Sequence, residues 1–243
     1  MDERWAGRGW LRPGLLMVEG VVGLARPHSH HTVQGITGAA GIEIGDGQGG
    51  RAECAAAVIP PDTVHEVLRG AAAGRIVHFD PESAAGARLL AMISRADGVG
   101  GWVRAGGELC SDAEWFAGVE RSATELAGRD RHPAVATVLT LLPGRLEAGP
   151  VRLGELAREA GISEGRLAHV FSADMGLPFR PYVRWLRMRL AIRFLAEGHS
   201  LTAAAHGAGF ADSAHLTRVC RGMFGGPPSE FSWIAWDVSR GWT

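Results

Sequence analysis

One arrangement of apolar residues, a glycine and a helix-capping side chain occurs twice between Leu153 and Met223. In the first copy Leu153, Leu156, Ala157 and Ala160 recur at helical spacing, Gly161 interrupts, and Ser163 stands as cap before Leu167, Val170 and Phe171. In the second, Leu201, Ala204, Ala205 and Ala208 supply the apolar face, Gly209 the turn, and Asp212 the cap of a helix with Leu216, Val219, Cys220 and Met223 inward. Each copy therefore predicts helix, tight turn, helix. The two caps, Ser163 and Asp212, lie 49 residues apart.

A second helix held out from so small a core leaves one face free, and that face fits the major groove of a duplex. Between the copies, Pro178 to Glu197 predicts one helix of about 20 residues, roughly 30 Å long at 1.5 Å per residue. Major-groove faces one turn apart on the same side of DNA are separated by roughly 34 Å. The spacer carries Arg180, Arg184, Arg187, Arg189 and Arg193 with no acid between Leu177 and Ala196. Such a run suits neutralisation of phosphates, and it equally suits a solvated face whose arginines pair with acids elsewhere.

The segment LTAAAHGAGFADSAHLTRVCRGMFGGPPSEF, with Gly209-Phe210, Asp212, Leu216, Arg218, Phe224-Gly225, Pro228-Ser229 and Phe231 in series, resembles the signature of the AraC/XylS family of bacterial regulators. The resemblance covers about Val151 to Phe231. It implies a small core filled by Phe210, Leu216 and Phe224, and a last helix opened by Pro228. It also implies base-facing positions at Gly165, Ala168, His169 and Ser172 in the first unit and at Ser213, Ala214, Thr217 and Arg218 in the second, with Arg184, Arg187 and Arg221 beside them on the DNA. Arginine bidentate to guanine is the commonest specific contact, which singles out Arg218. The first reading helix is poor in polar groups and is expected to supply shape and phosphate contacts. Two departures stand out: Ala204 replaces a branched aliphatic and Cys220 an aromatic, and both remove core volume. Partners implied are promoter double-stranded DNA, RNA polymerase and a second copy of the chain.

Residues 15 to 80 read differently, as short apolar runs broken by Gly, Pro and polar clusters (LLMVEGVVGLARP, GIEIGDGQGG, AAAVIPPD, GRIVHF), which predicts a small antiparallel β-barrel or sandwich. Beyond Pro81 three stretches, SAAGARLLAMIS, DAEWFAGVERSATELAG and HPAVATVLTLL, carry apolar residues at three- and four-residue intervals and predict helices. The organisation expected is α+β: a barrel over 1–82, a helical connection suited to pairing two subunits over 83–131, and an all-α double helix-turn-helix domain over 132–243.

The spacing of His28, His30, Gln34 and Gly41 resembles the first motif of cupin barrels, with glutamine in place of a glutamate ligand. Pro60, Asp62 and His65 resemble the second, with Asp62 where glycine is usual. The resemblance implies an effector site at His28, His30, Gln34 and His65. Three imidazoles across a barrel suit a divalent transition metal such as zinc, nickel, copper or iron. The alternative is a metal-free pocket for a small molecule lined by the same histidines. His31 and His78 read as packing or surface residues.

Composition sets the remaining bounds. Lysine is absent, so all 25 basic residues are arginine, and the net charge of −1 is unevenly divided. From Arg145 onward 12 arginines face nine acids, while the remainder has 13 arginines against 17 acids, so the basic portion is C-terminal. Cys54, Cys110 and Cys220 form neither a disulfide framework nor a metal knuckle; a reducing, cytoplasmic setting is expected, with Cys54 and Cys110 small buried hydrophobes or thiol sensors. Gly14 to Ala25 is too short to span a bilayer and carries Glu19, so no membrane segment is expected. No nucleophile–base–orienter set or phosphate loop occurs, and the chain is read as a non-enzyme. The expected function is a sequence-specific DNA-binding transcription regulator answering to a small molecule or metal in the barrel. Its rival is a cupin-type metal-dependent oxygenase or isomerase with a structural helical domain.

Overall fold

A computed structural model describes residues 4–93, 97–110 and 131–238. The described residues fall into two compact units: residues 4–110 with 217–238 form one, and residues 131–216 the other.

The first unit is built on an eight-stranded sheet. Its strands are β1 (Ala6–Arg12), β2 (Leu15–Val22), β3 (Ala25–His28), β4 (Val33–Gly45), β5 (Arg51–Ile59), β6 (His65–Arg69), β7 (Ala71–Phe79) and β8 (Trp233–Val238). The order is β3-β6-β4-β7-β2-β1-β8, with β5 on β4. The sheet is a curled half-barrel, antiparallel except where β8 joins β1 in parallel. Curling is concentrated in the long β4. Its first half lies between β5 and β7; a register break between Thr37 and Ile42 then turns its second half toward β6. The inward residues Leu15, Val33, Ile36, Ile42, Ile44, Val58, Ile59 and Phe79 are fully buried and make the core.

Two helices of this unit follow: α1 (Ala84–Ala91), capped by Ser83 Oγ accepting from the amide of Gly86 at 3.0 Å, and α2 (Gly98–Cys110), which packs on β5. The sequence does not predict α2, because its five glycines lower helix propensity; burial of Val99, Trp102 and Ala105 against the sheet overrides them. The helix expected over 112–128 lies outside the described residues. Strands β1 and β8 fall outside the expected 15–80 sheet. Pro228 opens only a short 3-10 turn, Pro228–Phe231, before β8, in place of the last helix expected there.

The second unit holds α3 (Pro133–Ala148), α4 (Leu153–Glu159), α5 (Glu164–Met175), α6 (Phe179–Ala196) and α7 (Leu201–Gly207). Helix α8 (Ser213–Phe224) begins in this unit and ends in the first. Its centre is α6, buried at Phe179, Tyr182, Val183, Trp185, Leu186, Met188, Leu190 and Ala191, positions that lie all round the helix. Phe171 meets Phe179 and Tyr182 edge-on at 5.2 and 5.4 Å between ring centroids.

Candidate nucleic-acid interface and histidine cluster

Both helix-turn-helix copies form as the sequence requires. Ser163 Oγ accepts from the Arg166 amide at 3.2 Å and opens α5; Asp212 Oδ1 accepts from the His215 amide at 2.6 Å and opens α8. The turn glycines Gly161 and Gly209 adopt φ of 70° and 76°, where a side chain is strained. Leu167, Val170 and Phe171 are buried in α5, as are Leu216, Cys220 and Met223 in α8.

The outward residues differ between the second helices of the two copies, α5 and α8. On α5, Gly165 and His169 are exposed or partly so, Ala168 and Ser172 take their places beside them, and the Ser172 hydroxyl donates to the Ala168 carbonyl at 2.9 Å. Arg166, which motif matching passed over, is exposed on the same helix. A groove at the start of α5 is lined by Arg152, Arg158 and Arg180 together with Glu155, Ser163 and Glu164. On α8, Arg218 and Arg221 stand outward at helical spacing with Ala214, and Ser213 and Thr217 lie beside them. Exposed arginine chemistry is therefore richer on α8.

The spacer arginines divide by environment. Arg180 and Arg184 are exposed. Arg193 lies 3.3 Å from Glu147 and 4.0 Å from Glu197, and Arg189 is buried with its guanidinium 5.9 Å from the Trp185 ring. Arg187 is half-buried against the Gly209 turn, where its Nε has no hydrogen-bond partner among the described residues and burial lowers its pKa. The helix of 18 residues is about 27 Å long at 1.5 Å per residue.

In the first unit, His28, His30 and His65 converge although they come from β3, the loop after it and β6. All three are buried, and a ring nitrogen from each lies within 4.8 Å of the others. Ring centroids are 4.1 Å apart for His28–His65 and 4.8 Å for His30–His65. The Nδ1–H of His28 donates to the Arg26 carbonyl at 2.7 Å and that of His65 to the Thr63 carbonyl at 2.9 Å. A carbonyl can only accept, so these contacts place the proton on Nδ1 and leave Nε2 as a lone pair. The Nε2 of His65 is buried with no hydrogen-bond partner among the described residues.

Burial, then mutual repulsion, lowers the imidazole pKa values: His28 falls to about 4 and His65 well below the ordinary value. His30 is lowered by burial against the opposing hydrogen bonds of Gln34 and Thr32. Neutral imidazoles with a lone pair on Nε2 are the form in which histidine ligates metal, so the donor set fits a divalent transition ion. Zinc bonded to nitrogen at about 2.0–2.1 Å in a tetrahedron holds its ligand atoms about 3.3 Å apart, so the cluster needs a modest contraction.

Gln34 joins this group, its Oε1 2.7 Å from His30 Nε2. His78, read from sequence as packing or surface, is buried in the same cluster 4.6 Å from the His30 ring, and Thr32 Oγ1 bridges their Nδ1 atoms at 2.9 and 3.0 Å. The available signal was cross-strand register, since His78 on β7 stands opposite Gln34 on β4. His31, by contrast, is half-exposed and pairs with Asp62, the residue at φ 56° where cupin motifs carry glycine. Cys220 is buried and its thiol is pushed up to about 12, chiefly by desolvation.

A family model described as a helix-turn-helix domain matches residues 156–232. An AraC-like transcription regulator of Streptomyces lividans is 36% identical over 101 residues, which are 41% of this chain and 33% of that protein. The helix-turn-helix-type regulator YpdC of Escherichia coli K12 is 35% identical over 86 residues, 35% of this chain and 30% of its own. The chain thus spans about a third of the length of these curated relatives. The crystal structure of an apo single-residue variant of ToxT from Vibrio cholerae superimposes with a TM-score of 0.51 over 91% of this chain and 98% of that one, at 12% identity. A wild-type ToxT structure with bound unsaturated fatty acid gives 0.50 over 96% and 97%, at 11% identity. These likenesses establish the fold: a curled β half-barrel followed by helices. Residues 156–232 match a helix-turn-helix domain, and the curated relatives similar to this chain are AraC-like and other helix-turn-helix transcription regulators.

Proposed function

We propose that the chain is a sequence-specific DNA-binding transcription regulator that reads promoter duplex and answers to a divalent transition metal held by His28, His30 and His65. The observation that carries the DNA-binding part is the outward face of α8. Arg218 and Arg221 stand outward on a helix whose opposite side is buried, within the stretch that matches a helix-turn-helix domain. Arg184 and the half-buried Arg187 supply phosphate contacts from α6. The Nε2 of His65, buried beside the His28 and His30 rings with no hydrogen-bond partner among the described residues, supports metal over an organic effector, because an orphaned buried acceptor costs about 1–3 kcal/mol unless something fills it. A bound ion would join β3, its following loop and β6 through three imidazoles. RNA polymerase and a second copy of the chain are the protein partners in this reading.

Binding to duplexes selected from a random library, followed across a salt series, tests it. Log affinity should fall linearly with log salt by about 0.9 per phosphate neutralised, and zinc should change the affinity of the wild-type chain but not of His65→Ala. Binding that ignores salt, or no selection of sequence, contradicts it.

A further inference from the structure

Strand β3 touches two things at once. Within the first unit, the Arg26 amide donates to the Gly225 carbonyl at 3.3 Å and the Ser29 amide to the Gly222 carbonyl at 3.1 Å, so the two residues that flank the ligand-bearing turn are tied to the C-terminal end of α8. The Arg26 carbonyl, on its other side, holds the His28 ring through Nδ1. The approach is close: a Cβ on Gly225, whose φ is 76°, would lie 2.6 Å from the Arg26 oxygen and 2.7 Å from its nitrogen. Beside it the Phe224 ring meets His78 edge-on at 5.5 Å, and Phe231 continues the stack to Trp5 at 6.0 Å. Arg221 remains exposed, so this attachment holds α8 by its end without covering its reading face.

We propose that docking of Gly222–Phe231 onto β3 and occupancy of the histidine cluster by a divalent metal are one coupled equilibrium, which makes the end of the second reading helix the output of the site. The proposal rests on the metal reading above and names how that site is read out. The physical route is short. An ion that fixes the His28 ring fixes the Arg26 carbonyl to which the ring is bonded, and the amide of the same residue is bonded to Gly225. Linkage makes the effect reciprocal, so whatever loosens the docked segment must weaken metal binding by the same factor.

The test uses the full-length chain with zinc as the probe. Calorimetric titration compares wild type, Phe224→Ala and a His65→Ala control, with circular dichroism confirming that each variant is folded. Hydrogen–deuterium exchange of the unmodified chain with and without zinc supplies a readout that needs no variant. The expected result is at least fivefold weaker zinc binding by Phe224→Ala, loss of the event in His65→Ala, and at least fivefold slower exchange at Arg26, Ser29 and Gly225 in the zinc-loaded wild type. Equal affinity in wild type and Phe224→Ala, or zinc binding that leaves those amides unchanged, overturns the coupling while leaving the metal site standing. No binding by wild type removes the metal reading, and the coupling with it.

Discussion

The Nε2 of His30 lies 2.7 Å from the Oε1 of Gln34, while its Nδ1 lies 3.0 Å from the Thr32 carbonyl. Buried and held neutral, His30 has one N–H for two acceptors, so one contact must give way. Half a turn of the Gln34 amide lets it donate to Nε2, and Thr32 Oγ1 then donates onward to His78. For His30 to ligate, Gln34 must release Nε2 altogether. Gln34→Glu replaces this competitor with a carboxylate, a genuine zinc donor, and should tighten zinc binding by about 10-fold or more by calorimetry. Unchanged or weaker binding would show that Gln34 does not border the ion.

Acid should open the first unit. Its histidines take up protons when unfolded near pH 6.5 but resist doing so when folded, with His28 at about 4. Their contribution is therefore complete above pH 6.5 and is lost as pH falls from about 6.5 toward 4. For His28 alone the full loss is about 3 kcal/mol, from 1.36 kcal/mol per pKa unit. Urea unfolding of the metal-free chain, in chelator, should show a falling midpoint over that window. A midpoint that is flat or rises below pH 6 contradicts the burial of these rings.

Gly209→Ala should destabilise the helical unit. At φ 76° the added methyl would also stand 3.1 Å from Arg187 Nε, so strain and displacement of the guanidinium combine. About 1–2 kcal/mol is expected from denaturant unfolding, with weaker DNA binding if Arg187 loses its position. Full retention of stability would mean that the turn can relax.

The helical half was legible because its signals are local: caps at Ser163 and Asp212, turn glycines, and apolar residues at helical spacing. The arginine spacer was only half legible. Sequence displays the absence of nearby acids, whereas the acid that meets Arg193 is Glu147, far away in the chain. Four histidines of the cluster lie between positions 28 and 78, and three were found through motif spacing; His78 was not, because its place depends on the pairing of β7 with β4. Helix α2 and strand β8 are products of tertiary contact, one stabilised on β5 and the other on β1, and neither carries a pattern of its own strong enough to announce it.

Arg218 offers the most direct measure of sequence reading. Selection from a random duplex library with the full-length chain should enrich a motif with two elements about one helical turn apart, and Arg218→Ala should lose about 1–3 kcal/mol at one position of it while keeping nonspecific, salt-dependent binding. An enriched motif bound equally well by wild type and Arg218→Ala, or no enriched motif at all, would contradict the assignment of α8 as the principal base-reading helix.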